Sequence, residues 1–234
     1  MQLDQSTLVR ATLVKRYKRF LCDHRLEDGS VITASCPNTG TMLGLTAPES
    51  ATWLVHAPSP TRKYAYRWEL IEENDTWVGI NTGRPNTLIE EAIENGVITE
   101  LQGYSNLRRE VKYGTNSRID LLLETEGQPD TYVEVKNCHL RRDGSLAEFP
   151  DSVTARGAKH LDELADQVRQ GNRAVMVFCV QRGDCESFSV AGDIDPTYAE
   201  AFSRARMAGV EALAYVCHVS PQEIRVTHAI PIKD

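Results

Sequence analysis

Ionised side chains seldom stand inside apolar strands without a metal or a partner, and this chain sets three of them into one hairpin. The runs Arg118 to Glu124 and Thr131 to Val135 both have strand character, and the Gly127-Gln128-Pro129-Asp130 stretch between them reads as a turn. Asp120 interrupts Ile119, Leu121, Leu122 and Leu123 on the first arm. Glu134 and Lys136 interrupt the valine-rich second arm, Tyr132-Val133-Glu134-Val135-Lys136. Side chains alternate along a strand, so Glu134 and Lys136 share one face while Val133 and Val135 take the other. A hairpin can bring Asp120 beside them. An exposed strand face with a weak Glu134–Lys136 ion pair would show the same spacing, but the apolar surroundings weigh against it.

The segments around the hairpin suggest a mixed sheet covered by helices over residues 86–234. Leu88, Ala92 and Ile93, with Glu90, Glu91 and Glu94 among them, fit an amphipathic helix from near Asn86 to the stop at Asn95-Gly96. Strand Leu107 to Tyr113 precedes the hairpin. A helix from about Val153 to Gln170 follows it, with Leu161, Leu164, Ala165 and Val168 on one face, then strand Ala174 to Val180, a helix from about Pro196 to Ala208 and strand Val210 to Val219. Residues 1–85 read differently. Leu8 to Leu21 reads as one strand with a cationic face, Ser30 to Ala34 as a second, and Cys36-Pro37-Asn38-Thr39-Gly40 as a turn. Ala51 to His56, Tyr64 to Ile71 and Thr76 to Asn81 complete a set of short strands with frequent turns. That pattern predicts a small β-barrel, with an OB type as the leading form. The expected fold class is therefore α/β (α+β): an N-terminal OB-like β-barrel and a C-terminal mixed sheet flanked by helices.

Composition limits what such a protein can do. The 234 residues suffice for two cores, and 41% hydrophobic with 25% charged residues is a globular balance. No apolar run approaches the roughly 20 residues of a membrane-spanning helix, and Met1 to Ser6 lacks the features of a secretory signal, so a cytoplasmic protein with no membrane partner is expected. The six cysteines form no C-x-x-C pair and no zinc-type spacing, which favours reduced structural thiols; Cys138, two residues past Lys136, could neighbour the site. The net charge of -7 opposes tight binding to phosphate. It is unevenly spread: residues 1–85 hold 10 Lys+Arg against 9 Asp+Glu, and residues 86–234 hold 16 against 24.

Two converging carboxylates, Asp120 and Glu134, can hold Mg²⁺ (or Mn²⁺), a hard cation that keeps several waters and often uses only one or two protein carboxylates. The Val135 carbonyl could add a ligand, and Lys136 could orient or deprotonate an attacking water. Weaker candidates surround this catalytic trio. Glu91 and Glu110 could add carboxylates, against the simpler readings of a solvated helix face and of an ion pair with Lys112 or Arg118. Arg156, Lys159 and His160 could share one helix face and hold a phosphate, or merely be solvated. In the first unit Arg16, Lys18 and Arg19 with Tyr17 and Phe20, and Arg62, Lys63 and Arg67 with Tyr64, Tyr66 and Trp68, interleave cations with rings, as barrels that bind single strands do. Core packing is the commoner use of such rings. The Cys36 to Gly40 segment could cradle a phosphate but lacks the lysine and spacing of a P-loop; a structural turn fits it better.

The chain resembles the sugar fermentation stimulation protein family, SfsA. The resemblance is carried by Arg16-Tyr17-Lys18-Arg19-Phe20-Leu21, Cys36-Pro37-Asn38-Thr39-Gly40, Lys63-Tyr64 with Trp68-Glu69-Leu70, Leu101 to Tyr104, Glu110-Val111-Lys112-Tyr113-Gly114, Ser117-Arg118-Ile119-Asp120, Tyr132 to Lys136, and Phe149-Pro150-Asp151 through Arg156-Gly157 to His160-Leu161. It implies an OB-like first domain, a PD-(D/E)xK nuclease-like second domain and sequence-independent DNA binding, with a part in regulating sugar (maltose) use. Asp120, Glu134 and Lys136 fall on the positions of the nuclease-like trio, although Ile119 stands where the pattern names proline. Two functions follow as expectations: a Mg²⁺-dependent phosphodiesterase acting on DNA, or a DNA-binding regulatory factor that does not cut. A small-molecule binder built on the barrel is a third, and the sequence leaves a homodimer open.

Overall fold

A computed structural model of the chain describes residues 1–114 and 117–233; of the expected second unit, residues 115, 116 and 234 lie outside the described residues. The first part consists of β1 (Leu8–Tyr17), β2 (Leu21–Leu26), β3 (Val31–Ser35), β4 (Ala51–His56), β5 (Tyr66–Glu73) and β6 (Thr76–Gly79). They form a sheet in the order β3-β2-β1-β4-β5-β6, and parallel pairing of β3 with β5 through Ala34↔Tyr66 and Ser35↔Arg67 closes it into an OB-like barrel. Closure removes the open edge that a short sheet would otherwise present. Alternate residues point inward, as Ala11 and Leu13 do on β1, and meet Cys22, Ala34, Leu54, Trp68 and Ile71 in the barrel core. Trp68 is fully buried and donates its indole N–H to the Leu70 carbonyl, 2.9 Å away, so this ring is core and offers no stacking surface.

The expected strand from Leu8 to Leu21 ends at Tyr17, and a second strand begins only at Leu21. The chain reverses at Lys18 and Arg19, which adopt φ of 50° and 64°. Such left-handed conformations cost an ordinary residue about 1–2 kcal/mol each, and no Gly or Asn marks the turn in the sequence. Neighbouring contacts hold it instead: Arg16 Nη2 donates to the Arg19 carbonyl at 2.7 Å, and Cys36 N–H donates to that of Phe20 at 2.8 Å.

Helix α1 (Pro85–Glu94) follows, with proline at its first turn, where the missing N–H costs nothing, and it ends at Asn95 before Gly96 at φ 72°. Next come β7 (Asn106–Tyr113), β8 (Ser117–Glu124), β9 (Thr131–Cys138), β10 (Leu140–Arg141), β11 (Leu146–Phe149), α2 (Ala155–Arg169), β12 (Arg173–Val180), β13 (Ser187–Val190), α3 (Pro196–Met207), β14 (Glu211–Val219), β15 (Ile224–Ala229) and β16 (Ile232–Lys233). Thr154 caps α2 by accepting from Gly157 N–H, and Asp195 caps α3 by accepting from Tyr198 N–H. The main sheet runs β15-β14-β12-β9-β8-β7, with β9, β12 and β14 parallel at its centre. A smaller sheet, β10-β11-β13-β16, stands beside it. Leu88, Ile89, Ala92 and Ile93 of α1 cover one face together with Val133, Val135, Val175 and Val177. Leu161 and Leu164 of α2 and Ala201 and Ala205 of α3 cover the other with Met176 and Phe178. This is the expected mixed sheet flanked by helices.

Polar contacts join the two parts. Met42 N–H donates to Asp151 Oδ2 at 2.7 Å, Gly79 N–H to the Gln181 carbonyl at 2.8 Å, and the buried Arg182 guanidinium to Glu73 Oε2 at 2.6 Å. No helix among the described residues is long and apolar enough to cross a membrane.

Candidate metal and nucleic-acid site

The β8–β9 ladder is antiparallel and pairs Leu121 with Val133, so one further step in register sets Asp120 across from Glu134. There the Val135 N–H donates to Asp120 Oδ2 at 2.8 Å, and Asn86 Nδ2, from the start of α1, donates to Oδ1 at 2.8 Å. The pleat of β8 breaks at this point. Ile119 packs on the α2 side of the sheet and Leu121 on the α1 side, whereas residues two apart in a regular strand share a face. On β7 the position opposite Asp120 is Glu110, in the left-handed region at φ 53° and passed over by the ladder between Arg109↔Leu121 and Val111↔Ile119.

Glu134 and Lys136 lie on the face of β9 that looks at α2, as their alternation with Val133 and Val135 requires. Lys136 Nζ donates to Glu134 Oε1 at 2.6 Å, and His160 Nδ1 of α2 contacts the same oxygen. Arg156, one turn earlier on α2, donates through Nε to His160 Nε2 at 3.2 Å. The second carboxylate oxygen, Glu134 Oε2, is buried and has no hydrogen-bond partner among the described residues. An orphaned carboxylate oxygen in a residue only 2% exposed is costly and marks a place where a cation would fit.

The two acids titrate in opposite directions. Burial, followed by the nearby Glu134 charge, pushes the Asp120 carboxyl up to about 6, against the opposing pull of Val135 N–H, Asn86 and Lys136. Burial would raise Glu134 as well, but the Lys136 ammonium and the His160 hydrogen bond outweigh it and hold this carboxyl below the ordinary range. Two acids driven apart in this way, inside a sheet, are a frequent signature of a functional centre.

The other residues singled out from the sequence are scattered. His160 is buried against Glu134, not on a solvated helix face with its neighbours, and Lys159 turns toward Glu163 and Ser117 Oγ, each at 3.4 Å. Glu91 pairs with the Met1 amino group at 2.6 Å. Arg118 reaches the Glu110 backbone carbonyl at 3.2 Å instead of its carboxylate. Arg16 donates to the carbonyls of Asn38, Gly40 and Thr41, and Arg19 Nε to that of Thr39. The Cys36 to Gly40 segment thus directs carbonyls at a guanidinium and is a braced turn. Lys18, Arg62 and Lys63 are exposed, with Lys63 Nζ 5.5 Å from the centre of the Tyr64 ring. Phe20 is 52% exposed at the β1–β2 turn. All six cysteines are buried free thiols; Cys138 Sγ donates to the Glu148 carbonyl, 3.1 Å away. Asn86 escaped the sequence reading, because an asparagine at a helix start looks like a cap; only the fold reveals that it serves Asp120.

An OB-like barrel joined to a helix-flanked mixed sheet, with an acidic pair and a lysine on adjoining strands, defines a two-part α/β protein. The chain matches the family models "SfsA N-terminal OB domain" over residues 14–80 and "Sugar fermentation stimulation protein RE domain" over residues 83–223, and it belongs to the sugar fermentation stimulation protein family. It is 57% identical to the sugar fermentation stimulation protein homolog of Brucella anthropi, with 98% of this chain and 99% of that one covered, and 57% identical to that of Agrobacterium fabrum, with 97% and 95% covered. The structure of the Pyrococcus furiosus SfsA in complex with Ca²⁺ is similar throughout, with a TM-score of 0.88 at 28% identity and 100% of each chain covered.

Proposed function

We propose that this protein is a DNA-binding, Mg²⁺-dependent phosphodiesterase of little sequence preference, working in the cytoplasm, with Asp120 and Glu134 as metal ligands and Lys136 organising the nucleophile. The observation that carries the reading is the orphaned Glu134 Oε2 beside a raised Asp120 carboxyl. The donor set suits a hard cation. Two carboxylates supply only part of a coordination shell, and Mg²⁺ commonly fills the rest with water and phosphate oxygens. The similar SfsA solved with Ca²⁺, another oxygen-seeking cation, supports this.

A bound cation would withdraw charge from the scissile phosphate and make a water molecule more acidic. The chain's own groups supply the rest. Val135 N–H and Asn86 hold Asp120 at a fixed angle. Lys136 Nζ uses one N–H on Glu134, leaving two to orient a water or a phosphate oxygen. Arg156 engages His160 through Nε, so its Nη groups are available to a phosphate. Lys159, Lys18, Arg19, Arg62 and Lys63 would add backbone contacts, with the division between the two units near residues 85 and 86 and the barrel gripping the strand.

The second reading, a regulatory factor that binds DNA without cutting, is favoured by the family's sugar-fermentation name. Incubating supercoiled and single-stranded DNA with Mg²⁺ or Mn²⁺ separates the two. Cleavage by the wild type that falls by two or more orders of magnitude in Lys136→Ala supports the enzyme; identical behaviour of the two proteins sinks it.

A further inference from the structure

Arg156, His160 and Glu134 form a chain of contacts whose chemistry is more restrictive than any of its members. A neutral imidazole carries one N–H and one acceptor nitrogen, and whichever nitrogen is engaged as an acceptor forces the proton onto the other. The Arg156 guanidinium has no lone pair and is always a donor. Its Nε–H points at His160 Nε2 from 3.2 Å, which makes Nε2 the acceptor. The proton must then sit on Nδ1, which contacts Glu134 Oε1. Lys136 Nζ donates to that oxygen too, at 2.6 Å, while its 3.4 Å separation from His160 Nδ1 is a contact between two donors and no hydrogen bond. Glu134 therefore receives both of its donors on Oε1 and none on Oε2.

We infer that His160 is a positioning residue, locked by Arg156 as the Nδ1–H tautomer, which pins Glu134 through Oε1 so that Oε2 alone is presented to the cation. This rests on the metal-site reading above and adds a task for two residues of α2. His160 is 5% exposed and Glu134 2%, so neither can exchange these partners for water. The pair is also placed by the helix: Arg156 and His160 are four residues apart and stack on one side of α2, and Leu161 and Leu164 fix that side against the sheet. Arg156 acquires a double role. Nε sets the tautomer while its remaining N–H groups face outward, so a phosphate that moves the guanidinium also touches the orientation of Glu134.

Two measurements on the full-length protein test this. The first is the ¹⁵N NMR signature of the His160 ring without metal, which separates Nδ1–H from Nε2–H and from imidazolium independently of any cation. A ring protonated at Nδ1 alone in the wild type, with Nε2 free to take a proton in Arg156→Met, which offers no donor, is expected; Nε2–H or a doubly protonated ring in the wild type overturns the lock. The second is Mn²⁺ affinity by calorimetry. Loss of a hydrogen bond behind a ligand typically weakens a metal by about 10–100-fold, so His160→Ala should fall in that range. His160→Asn, whose amide nitrogen can take the place of Nδ1, should recover most of the loss, and His160→Gln, whose amide reaches the Nε2 position, should not. Equal affinities in wild type and His160→Ala overturn the positioning role, as do equal affinities in the Asn and Gln variants. A wild type that takes up no Mn²⁺ defeats the metal reading and the orientation of Oε2 with it, while the ring tautomer still decides the lock.

Discussion

Asp120 should make the metal-free protein less stable at neutral pH than a neutral replacement would, and the size of that penalty can be worked from its environment. A rise from 3.8 to about 6 on folding corresponds to about 3 kcal/mol between the two protonation states. For an acid whose carboxyl is raised in the folded protein, the folded state binds the proton more tightly than the unfolded chain. Stability is therefore greatest below 3.8, falls as pH climbs, and levels off above about 6. Asp120→Asn keeps the shape and removes the charge. It also introduces a conflict, because one face of the amide must now present N–H to either Val135 N–H or Asn86 Nδ2, at a cost of about 1–3 kcal/mol. That cost does not vary with pH, so the quantity to read is the change in the stability difference and not its absolute value. Linkage gives a gain of about 1.4 kcal/mol for the variant over wild type between about pH 5 and about pH 7.5. Urea unfolding followed by far-UV circular dichroism measures it, because the helices that flank the main sheet dominate that signal. A difference that stays flat across this range, or moves against the variant as pH rises, refutes the account of Asp120 as a half-buried, charge-strained acid.

The barrel should show the opposite trend. Burial pushes the His24 imidazole down from 6.5 to about 4, so stability is full above 6.5 and about 3 kcal/mol of it is lost as pH falls to about 4; His24→Gln should remove this slope in barrel fluorescence, and a slope that persists unchanged counts against it. Arg16→Ala should lower stability by about 1–3 kcal/mol, because its guanidinium braces carbonyls of the 38–41 turn. By contrast, Arg62→Ala with Lys63→Ala should leave the melting temperature unchanged and reduce the salt slope of DNA binding by about 2; a lower melting temperature with an unchanged slope would make these two structural.

Legibility in the sequence followed the range of the interaction responsible. Helix α1 was visible because its proline, apolar spacing and Asn-Gly stop are all local, and α2 because of its leucine stripe and terminal glycine. Strand β12 was visible because both faces are buried, so apolar residues run nearly without a break, β8 because of its leucine run, and β9 because its valines alternate with Glu134 and Lys136. β2, β10, β11, β13, β15 and β16 were not: β2 and β15 carry polar residues that give no clean alternation, while the other four have only two to four residues and are defined by the neighbours they pair with. The turn at Lys18 and Arg19 was hidden for the same reason: Arg16 and Cys36 impose it from a distance. At the site, alternation alone put Glu134 and Lys136 on one face. The role of Arg16 could not be read in this way, because a cation that braces carbonyls and one that binds phosphate have the same letter.

The departures from regular structure also fall together. The main sheet carries another register shift, between Val216 and Cys217 where β14 meets β15. Around Asp120 several departures coincide: the pleat of β8 reverses, the facing Glu110 takes φ 53°, Asp120 is a carboxyl raised by burial, and Glu134 keeps a buried oxygen without a donor. Each of these costs on the order of 1–3 kcal/mol, and replacement of Asp120 and Glu134 by apolar residues of similar size would relieve most of them. A folded chain tolerates such a concentration of strain where function sets the residues. A cation bound as proposed would satisfy the Glu134 oxygen and remove the mutual repulsion of the two carboxylates in one step, so the features that strain this part of the sheet are the ones such a cation would relieve.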